Sequence, residues 1–321
     1  MDATVIVVSY NTRALTLACL ASIQAHTSGV TYEVVVVDNG STDGSADAIA
    51  EAHPWVTLKR AATNLGFSGG VKAALSATRS EFVILFNSDA YLIDNAFAVM
   101  AGYAGAHPDA GAVGCRVMNE DRSHQPTAAR FPRLWLDFSD HILRPLRISP
   151  QFWPVNCIDP TDYREPVDTD WLSGSAVLYR RAAIDAAGGI DTDFFLGEED
   201  IDLGFRLKQT GWRVVYLPFS GIVHLGGRSR ALSAASSQHF FRGRYLFYRK
   251  HHSAGYARAF RTLLLVAYGL RWLSARARTA LGGGPRARRR SPRAGTSTCR
   301  CCWTRARSSA PDQTPPASTS A

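Results

Sequence analysis

The chain has 321 residues, of which 46% are hydrophobic and 20% are charged. This composition is typical of a globular enzyme with one large domain or two small ones, and it excludes a wholly disordered or wholly membrane-embedded chain. The formal net charge is +9, but residues 286–321 alone hold eight Arg and one Asp. The rest of the chain is therefore close to neutral, which argues against a nucleic-acid-binding module. We expect no nucleic acid partner.

The cysteines and the N-terminus indicate where the protein works. The six cysteines lack the spacing of a zinc site or of a disulfide framework, which predicts a reducing compartment. The N-terminal sequence has no basic segment before its first apolar run, so no signal peptide is expected. We therefore expect a cytoplasmic location.

Short runs of β-branched and aliphatic residues predict buried parallel strands at residues 4–9, 33–38 and 82–86. Helical spacing of apolar residues lies between them, at 14–26 and 70–78. This alternation predicts an α/β fold with a mostly parallel sheet. A further strand is expected at 213–217. Ligands bind beyond the carboxyl ends of such strands, so the polar residues that follow them are candidate site residues.

Two of these strand ends carry carboxylates. Asp38 begins the turn DNGSTDGS, where it can accept hydrogen bonds from a nucleobase or ribose, or can simply form the turn. Asn87 and Asp89 follow the next strand as N-x-D, and the alternation of a strand points both side chains the same way. A carboxylate there can bind Mg²⁺ or Mn²⁺ together with substrate phosphates, although most such triplets are turns.

Two later features suggest a base and a second ligand. The run Glu198-Glu199-Asp200-Ile201-Asp202 opens a predicted helix, where one or two carboxylates would simply favour the helix dipole. Four carboxylates would repel one another, which could raise the pKa of one and make it a general base near neutral pH. His224 follows a strand and is a candidate ligand for a metal or a diphosphate, or a structural histidine.

Seven segments together resemble a known family. In chain order they are VIVVSYN, VVVVDNGSTDGS, NLGFSGG, LFNSDA, WLSGSAVLYRR, FFLGEEDIDLGFRL and HLGG. They resemble the motifs of family 2 inverting glycosyltransferases, and most of all the bacterial rhamnosyltransferase branch that builds cell-wall and surface polysaccharides. The likeness covers roughly residues 4–229. It implies a GT-A fold, in which helices flank a Rossmann-like, mostly parallel sheet, and single-displacement chemistry with inversion at the anomeric carbon.

The resemblance also implies roles for individual residues. Asp200 would be the catalytic base, and Asp89 and His224 would bind Mg²⁺ or Mn²⁺. The donor nucleotide would contact Ser9, Tyr10, Asn11, Asp38, Asn64, Gly66, Asn87 and Ser88. The acceptor and donor-sugar pocket would include Trp171, Gly174 and Glu199. The first acidic place of the family's metal motif is Asn87 here, so fewer protein ligands are expected.

The resemblance also suggests the substrates, and other functions remain as alternatives. The branch suggests dTDP-L-rhamnose as donor, with uridine and guanosine sugars still open, and a glycan on a polyprenyl diphosphate lipid as acceptor. A catalytically inactive, sugar-nucleotide-binding relative is one alternative, and a nucleotidyltransferase is another. A dehydrogenase is disfavoured because the turn after the first strand, SYNTRA, lacks the G-x-G-x-x-G pattern.

The expected organisation is a catalytic domain at 1–230, an amphipathic helical extension at 231–284 and a disordered basic tail at 285–321. The apolar stretch at 260–273 is shorter than the roughly 18 to 20 residues that a spanning helix needs. Its flanking arginines, with Tyr268 and Trp272, predict a helix that lies in a membrane interface or packs on the domain. Beyond residue 284 there is no Leu, Ile, Val, Phe, Met or Tyr to build a core. A frame-shifted end is our hypothesis for that tail.

Overall fold

The computed structural model describes residues 2–143, 164–226 and 234–280. Within them the strands are β1 (Ala3–Ser9), β2 (Tyr32–Asp38), β3 (Thr57–Arg60), β4 (Phe82–Phe86), β5 (Ala90–Leu92), β6 (Ala110–Met118), β7 (Ala128–Ala129), β8 (Val167–Asp168), β9 (Trp171–Leu172), β10 (Ala176–Arg180) and β11 (Arg213–His224). The helices are α1 (Arg13–His26), α2 (Ser45–Ala52), α3 (Gly66–Leu75), α4 (Ala96–Ala106), α5 (Leu134–Phe138), α6 (Arg181–Ala186), α7 (Glu199–Gln209), α8 (Ala234–His251) and α9 (Ala254–Ala280). A π-helical turn, Ser139–Leu143, follows α5.

A central sheet organises the described residues, in the order β3-β2-β1-β4-β10-β6-β11-β5, with β8 paired to β11. The first four strands are parallel, and β6 is parallel to β11, whereas β10 and β5 run antiparallel to their neighbours. The predicted α/β fold with a mostly parallel sheet is thus confirmed. Because β1 lies between β2 and β4, the carboxyl ends of these three strands meet at one edge.

Two apolar cores lie on opposite faces of the sheet, because successive side chains of a buried strand point to opposite sides. Val5 and Val7 of β1 pack in one core, which α1, α2 and α4 cover. Ile6 packs in the other, which α3, α6 and α7 cover. Burial on both faces explains why the central strands are continuous apolar runs rather than alternating ones.

The structure differs from the sequence-based prediction in several boundaries. The strand predicted at 213–217 continues to His224, with an irregularity in its register between Leu217 and Gly221. The helix predicted at 70–78 begins earlier, at Gly66. Elements α2, β3, β5, α4 and β6 were not predicted. A long segment, residues 119–170, lies between β6 and β9, and we call it the insertion. It contains short elements at its described ends, and residues 144–163 lie outside the description.

The two C-terminal helices pack on α7 through a third apolar cluster that includes Phe194, Ile201, Phe247 and Phe260. The opposite side of α9 is exposed and apolar, and it presents Leu265, Val266, Leu270, Trp272 and Leu273. None of the described helices combines the length and hydropathy that a membrane crossing requires. The domain boundaries stay predictions, and the expected tail at 285–321 lies outside the described residues.

Charge is distributed unevenly along the folded chain. Residues 234–280, which form α8 and α9, contain nine Arg and Lys and no Asp or Glu. Residues 1–233 contain nineteen Arg and Lys against twenty-six Asp and Glu. The near-neutral balance before the tail therefore results from an acidic part, residues 1–233, and a strongly basic helix pair, α8 and α9.

Candidate active site

The candidate site begins where β2, β1 and β4 end. Ser9 of β1 is the direct partner of Asp38 in the register of the parallel pair. Asn87 follows β4, which pairs in parallel with β1 on its other side, and its backbone N–H donates to the carbonyl of Ser175 at 3.1 Å. The structure therefore brings together three residues that the sequence placed 29 or more positions apart.

Asp38 is buried, and only one of its two carboxylate oxygens has a hydrogen-bond partner among the described residues. Its Oδ2 accepts a hydrogen bond from the backbone N–H of Ser41 at 3.0 Å, as expected of a turn-forming Asp. Its Oδ1 is buried and has no hydrogen-bond partner among the described residues. A buried carboxylate oxygen without a partner is costly. Asp38 is thus suited to accept a hydrogen bond from a ligand at this edge.

The turn after β1 is fixed to the turn after β2 by Asn11, which has a left-handed backbone with φ 52°. Its N–H donates to Ser41 Oγ at 2.9 Å, and its Oδ1 accepts from the N–H of Thr42 at 2.8 Å. Tyr10 is exposed beside it. The hydroxyl of Ser9, by contrast, faces the core and hydrogen-bonds Thr16, so Ser9 would meet a ligand only through its backbone.

Asn64 and Gly66 shape the start of α3. Asn64 Oδ1 accepts from the N–H of Gly66 at 2.9 Å. Gly66 has φ 74°, and a Cβ added there would lie 2.3 Å from the carbonyl oxygen of Phe195. Only glycine allows this approach, and the adjacent N–H of Phe67 donates to the same carbonyl at 2.8 Å. The donor side of the site is thereby joined to the segment that precedes the acidic helix.

Asp89 and His224 are brought together although 135 residues separate them. His224 Nε2 lies 3.2 Å from Asp89 Oδ1, and both side chains are buried. His224 Nδ1 lies 2.6 Å from Gln125 Oε1, which can only accept; in the neutral imidazole the proton therefore lies on Nδ1, and Nε2 is the nitrogen that faces Asp89. Asn87 Nδ2 donates towards the same Nε2 at 3.2 Å. The Ser88 hydroxyl is buried and lies 3.4 Å from the hydroxyl of Thr12.

This arrangement fits a divalent cation held by few protein ligands. A carboxylate oxygen and a neutral imidazole nitrogen, the latter oriented by an outer hydrogen bond, are ordinary metal donors. Substrate phosphates commonly complete the shell of Mg²⁺. The part of the chain that the structure describes contains no group of three or more His, Cys, Asp or Glu side chains placed to hold a metal.

The four carboxylates of the acidic run are separated by the fold rather than clustered. Glu198 is buried and bound to Arg244 of α8, and Asp202 is buried and bound to Arg206 and His251. Cations therefore compensate two of the four charges that were expected to repel one another. The pair at the start of α7, Glu199 and Asp200, is left beside the pocket.

Asp200, at the N-terminus of α7, is oriented by two backbone N–H groups, one from α7 and one from the loop between β9 and β10. Its Oδ2 accepts from the N–H of Gly174 at 3.3 Å, and its Oδ1 accepts from the N–H of Ile201 at 2.9 Å. A small cavity adjoins Asp200 and Glu199, and its other walls are Phe67, Val71, Leu85, Gly174, Tyr179, Ile190 and Leu203. Burial, with the nearby charges of Asp200 and Glu199, raises the pKa of Tyr179, so its phenol stays protonated. The base candidate thus lies over a largely apolar floor.

Trp171 lies against the same helix. A Cβ added to Gly204 of α7 would lie 2.8 Å from Trp171 Cβ, so the glycine allows this close packing. The indole N–H donates to the carbonyl of Arg130 in the insertion at 3.0 Å. Trp171 therefore joins α7 to the insertion, whereas Gly174 lies next to the ring of Phe67.

Three residues of the site were missed from the sequence. Gln125 lies in the irregular insertion, Tyr179 in the middle of a buried strand, and Arg244 in a helix far along the chain. None belongs to a chemically distinctive local pattern. Only the fold shows that each contacts a candidate site residue.

Solved structures identify the fold. The described chain superposes on the structure of GalNAc-T7 with UDP, GalNAc and Mn²⁺ with a TM-score of 0.54, at 15% identity, over 70% of this chain and 44% of that one. It superposes on the mannosyltransferase PcManGT from Pyrobaculum calidifontis, in complex with GDP-Man and Mn²⁺, with a TM-score of 0.53 at 21% identity, over 88% of this chain and 76% of that one. The architecture is that of the GT-A class.

Sequence comparison then gives the family. Residues 4–186 match the model of glycosyl transferase family 2, and residues 165–276 match that of glycosyl transferase family group 2. The chain is 32% identical over 257 residues to the N-acetylglucosaminyl-diphospho-decaprenol L-rhamnosyltransferase of Mycobacterium tuberculosis, over 74% of this chain and 81% of that protein. The chain belongs to glycosyl transferase family 2, whose members transfer a sugar from a nucleotide-sugar donor. The resemblance seen in its seven motifs is confirmed.

Proposed function

We propose that this protein transfers L-rhamnose, with inversion, from dTDP-L-rhamnose to a hydroxyl of a glycan carried on a polyprenyl diphosphate lipid. The identity to the mycobacterial L-rhamnosyltransferase, which extends over most of that protein's length, supports the choice of sugar and acceptor. The observation that carries the reaction type is the position of Asp200. Two backbone N–H groups fix its carboxylate at the N-terminus of α7, beside a cavity.

The chain's own residues divide the work of a single displacement. Asp200 takes the proton of the acceptor hydroxyl, whose oxygen attacks the anomeric carbon of the donor. The bond from that carbon to the diphosphate breaks, and the nucleoside diphosphate leaves with the bonding electron pair. Glu199, Gly174 and Trp171 border the acceptor and sugar pocket. Asp38, with Tyr10, Asn11 and Asn64 around it, holds the nucleoside.

Asp89 and His224 would hold the divalent cation, Mg²⁺ or Mn²⁺, in this proposal. When bound, the cation supplies positive charge that stabilises the departing diphosphate. Gln125 fixes the tautomer of His224 that leaves Nε2 available. Asn87 and Ser88 lie beside this pair, and Gly66 lets the backbone at the start of α3 approach closely.

We further propose that α9 lies on the cytoplasmic face of the cell membrane, where a lipid-linked acceptor is found. Its exposed apolar side carries Leu265, Leu270 and Trp272, and α8 and α9 together hold no acidic residue. Arg276 stacks over the ring of Trp272 at 4.8 Å, next to that apolar side. A helix with this pattern binds an anionic interface by apolar burial and by charge attraction.

The experiment is a transfer assay with purified protein, Mn²⁺ and a short polyprenyl-diphosphate-linked N-acetylglucosamine acceptor. Each of dTDP-rhamnose, UDP-sugars and GDP-sugars is offered, and the anomeric configuration of the product is read by NMR. We expect transfer from dTDP-rhamnose with inversion. Asp200→Asn should lower turnover about 1,000-fold while dTDP still binds, because base catalysis is lost.

Asp185→Asn, which changes an exposed carboxylate of α6, is the matched control and should keep full activity. Turnover of Asp200→Asn within a few-fold of wild type would show that Asp200 is not the base. Nucleotide binding by the wild type without transfer from any donor would favour the inactive, sugar-nucleotide-binding relative. Formation of a sugar nucleotide from a sugar 1-phosphate and a nucleoside triphosphate would instead indicate a nucleotidyltransferase.

A further inference from the structure

Arg244 of α8 is a buried cation in direct contact with the residue that caps the acidic helix. Its Nε and Nη2 donate to the two carboxylate oxygens of Glu198 at 2.5 and 3.0 Å. Its Nη1 donates to Asp137 Oδ1 of α5 at 2.9 Å. All three residues are at most 9% exposed. A two-point contact of this kind fixes the orientation of a carboxylate as well as its distance.

Glu198 needs such support because its backbone is strained. It is the N-cap of α7, and it adopts a left-handed conformation with φ 74°. For a residue other than glycine this conformation is unfavourable, because the Cβ lies too close to the following carbonyl oxygen. Asp200 lies two positions further on, so the backbone of Glu198 sets the direction in which α7 and its first carboxylates begin. The carbonyl of Glu198 also accepts the N–H of Asp202 at 3.0 Å, as part of the first helical turn.

The backbone of α8 approaches the same turn through a glycine. A Cβ added to Gly243 would lie 2.9 Å from the carbonyl oxygen of Gly197 and 3.0 Å from Glu198 Cγ. Gly243 therefore permits the contact, and its neighbour Arg244 makes the ion pair. On the opposite side, Phe195 is held by the start of α3. The segment that leads into the candidate base is thus fixed between α3 and α8.

The same network includes the part of the insertion that follows β7. Tyr248, one turn after Arg244 on α8, donates its hydroxyl proton to Asp137 Oδ2. Arg244 and Tyr248 together join α8, α5 and the cap of α7 in one buried polar group. The adjacent apolar packing of Phe247 and Phe194 supports the contact.

We propose that Arg244 is a positioning residue for transfer: by holding Glu198, it sets the place of Asp200 and Glu199 relative to the reacting groups. The inference rests on the proposed function, because it assigns a supporting role within that site. Arg244 touches no reacting atom, so its loss affects turnover and leaves the binding of the nucleotide, at the ends of β1 and β2, unchanged. The C-terminal helices are then part of the working active site and not an appendage to it.

The test compares three variants of this network with a control. Arg244→Lys keeps the charge but loses the two-point contact, and we expect kcat to fall about 100-fold, as for a catalytic group misplaced by an ångström or so. The dissociation constant for dTDP should stay within twofold of wild type. Arg244→Gln leaves Glu198 buried and unpaired, so a fall in Tm is expected in addition.

The triple variant Asp137→Asn/Glu198→Gln/Arg244→Met separates positioning from stability, because it removes all three buried charges of the network. We expect it to recover the Tm of the wild type, since replacing a whole buried ion-pair network is often neutral for stability. Its kcat should remain low. Recovery of kcat together with Tm would overturn the proposal, as would a kcat for Arg244→Lys within threefold of wild type.

Arg180→Met is the control, since Arg180 is buried to a similar extent but bonds to Glu81 and to backbone carbonyls of 104 and 107. It should lower Tm and leave kcat per folded molecule unchanged. An inactive wild type would reject the proposed function itself, whereas an active wild type with unaffected Arg244 variants would reject only the role of Arg244.

Discussion

The Nδ1 atom of His224 lies 2.6 Å from Oε1 of Gln125, and this contact determines which imidazole nitrogen faces the carboxylate of Asp89. Gln125 is itself held by Asn119, whose Oδ1 accepts from Gln125 Nε2 at 2.9 Å. The side chains of Asn119 and Gln125 thus connect the insertion to His224, at the end of β11. Loss of the residue that orients a metal ligand typically lowers metal affinity by about 10- to 100-fold.

Gln125→Ala should weaken metal binding because the imidazole of His224 loses its orienting acceptor. The Mn²⁺ concentration that gives half of the maximal thermal stabilisation in the presence of dTDP should rise about 10- to 100-fold. Differential scanning fluorimetry over a Mn²⁺ series measures it. Gln24→Ala, on the exposed side of α1, serves as the control. An unchanged Mn²⁺ midpoint in Gln125→Ala would separate Gln125 from metal binding.

Asp38→Asn should weaken nucleotide binding, because the buried Oδ1 loses the charge that a donor group of the nucleoside would meet. A hydrogen bond to a charged group contributes about 1.5 to 3 kcal/mol, so the dissociation constant for dTDP should rise roughly 10- to 100-fold. Calorimetric titration measures it. Asp43→Asn is the matched control, since Asp43 lies in the same turn but bonds to Ser45. Equal affinities in the two variants would exclude Asp38 from the nucleotide site.

Asp137 should make stability depend on pH. Its burial, opposed by the charge of Arg244, raises the pKa of its carboxyl from an ordinary 3.8 to about 6. The folded protein therefore binds this proton more tightly than the unfolded chain does. The stabilisation is complete below about pH 4 and is lost as the pH rises through 6, at about 1.4 kcal/mol for each unit of the pKa shift.

Asp137→Asn removes this titration. The free energy of unfolding is measured in urea at each pH for both proteins. Because only the wild type loses this stabilisation as the pH rises, the stability of the variant relative to wild type should increase between pH 4 and pH 7. The loss of the contact with Arg244 adds an offset to this difference. For Asp185→Asn we expect the difference in unfolding free energy from wild type to be the same at every pH. A constant difference for Asp137→Asn as well would contradict the raised pKa of Asp137.

The apolar side of α9 should be required for lipid binding. Replacing Leu265, Leu270 and Leu273 by Ser should weaken binding to phosphatidylglycerol-containing vesicles by about tenfold for each leucine, from the apolar area no longer buried. Flotation with vesicles measures this without any sugar donor. Phe219→Ser removes an equally exposed apolar side chain from β11 and is the control. Binding that persists in the triple variant would place the contact elsewhere.

The sequence was sufficient for the parts of the fold that depend on local pattern. The runs ending at Ser9, Asp38 and Phe86 predicted three buried strands because both faces of each are apolar. Helix α4 was not predicted, because Ala96–Ala106 is apolar with hardly any amphipathic periodicity. The proximity of Asp89 to His224 follows from the pairing of β5 with β11, which no local pattern encodes.

The carboxylates of the acidic run show a second limit. Their spacing suggested mutual repulsion, yet Arg244 and Arg206 compensate Glu198 and Asp202 from one side of the helix. Arg206 lies four residues from Asp202, a spacing that a helix brings into contact and that the sequence could have revealed. Arg244 lies 46 residues from Glu198, and only tertiary packing joins them.

Residues 1–233 are acidic and α8–α9 are basic, and this separation of charge affects how the protein approaches a membrane surface. Near an anionic bilayer the basic helix pair is attracted and the acidic remainder is repelled. The electrostatic force therefore exerts a torque that turns α8 and α9 towards the membrane, in addition to any net attraction. The torque acts within about 10 Å of the lipid at 0.1 M salt. More collisions then begin with α9 foremost, and the landing rate on anionic vesicles falls steeply with added salt while the rate on neutral vesicles does not.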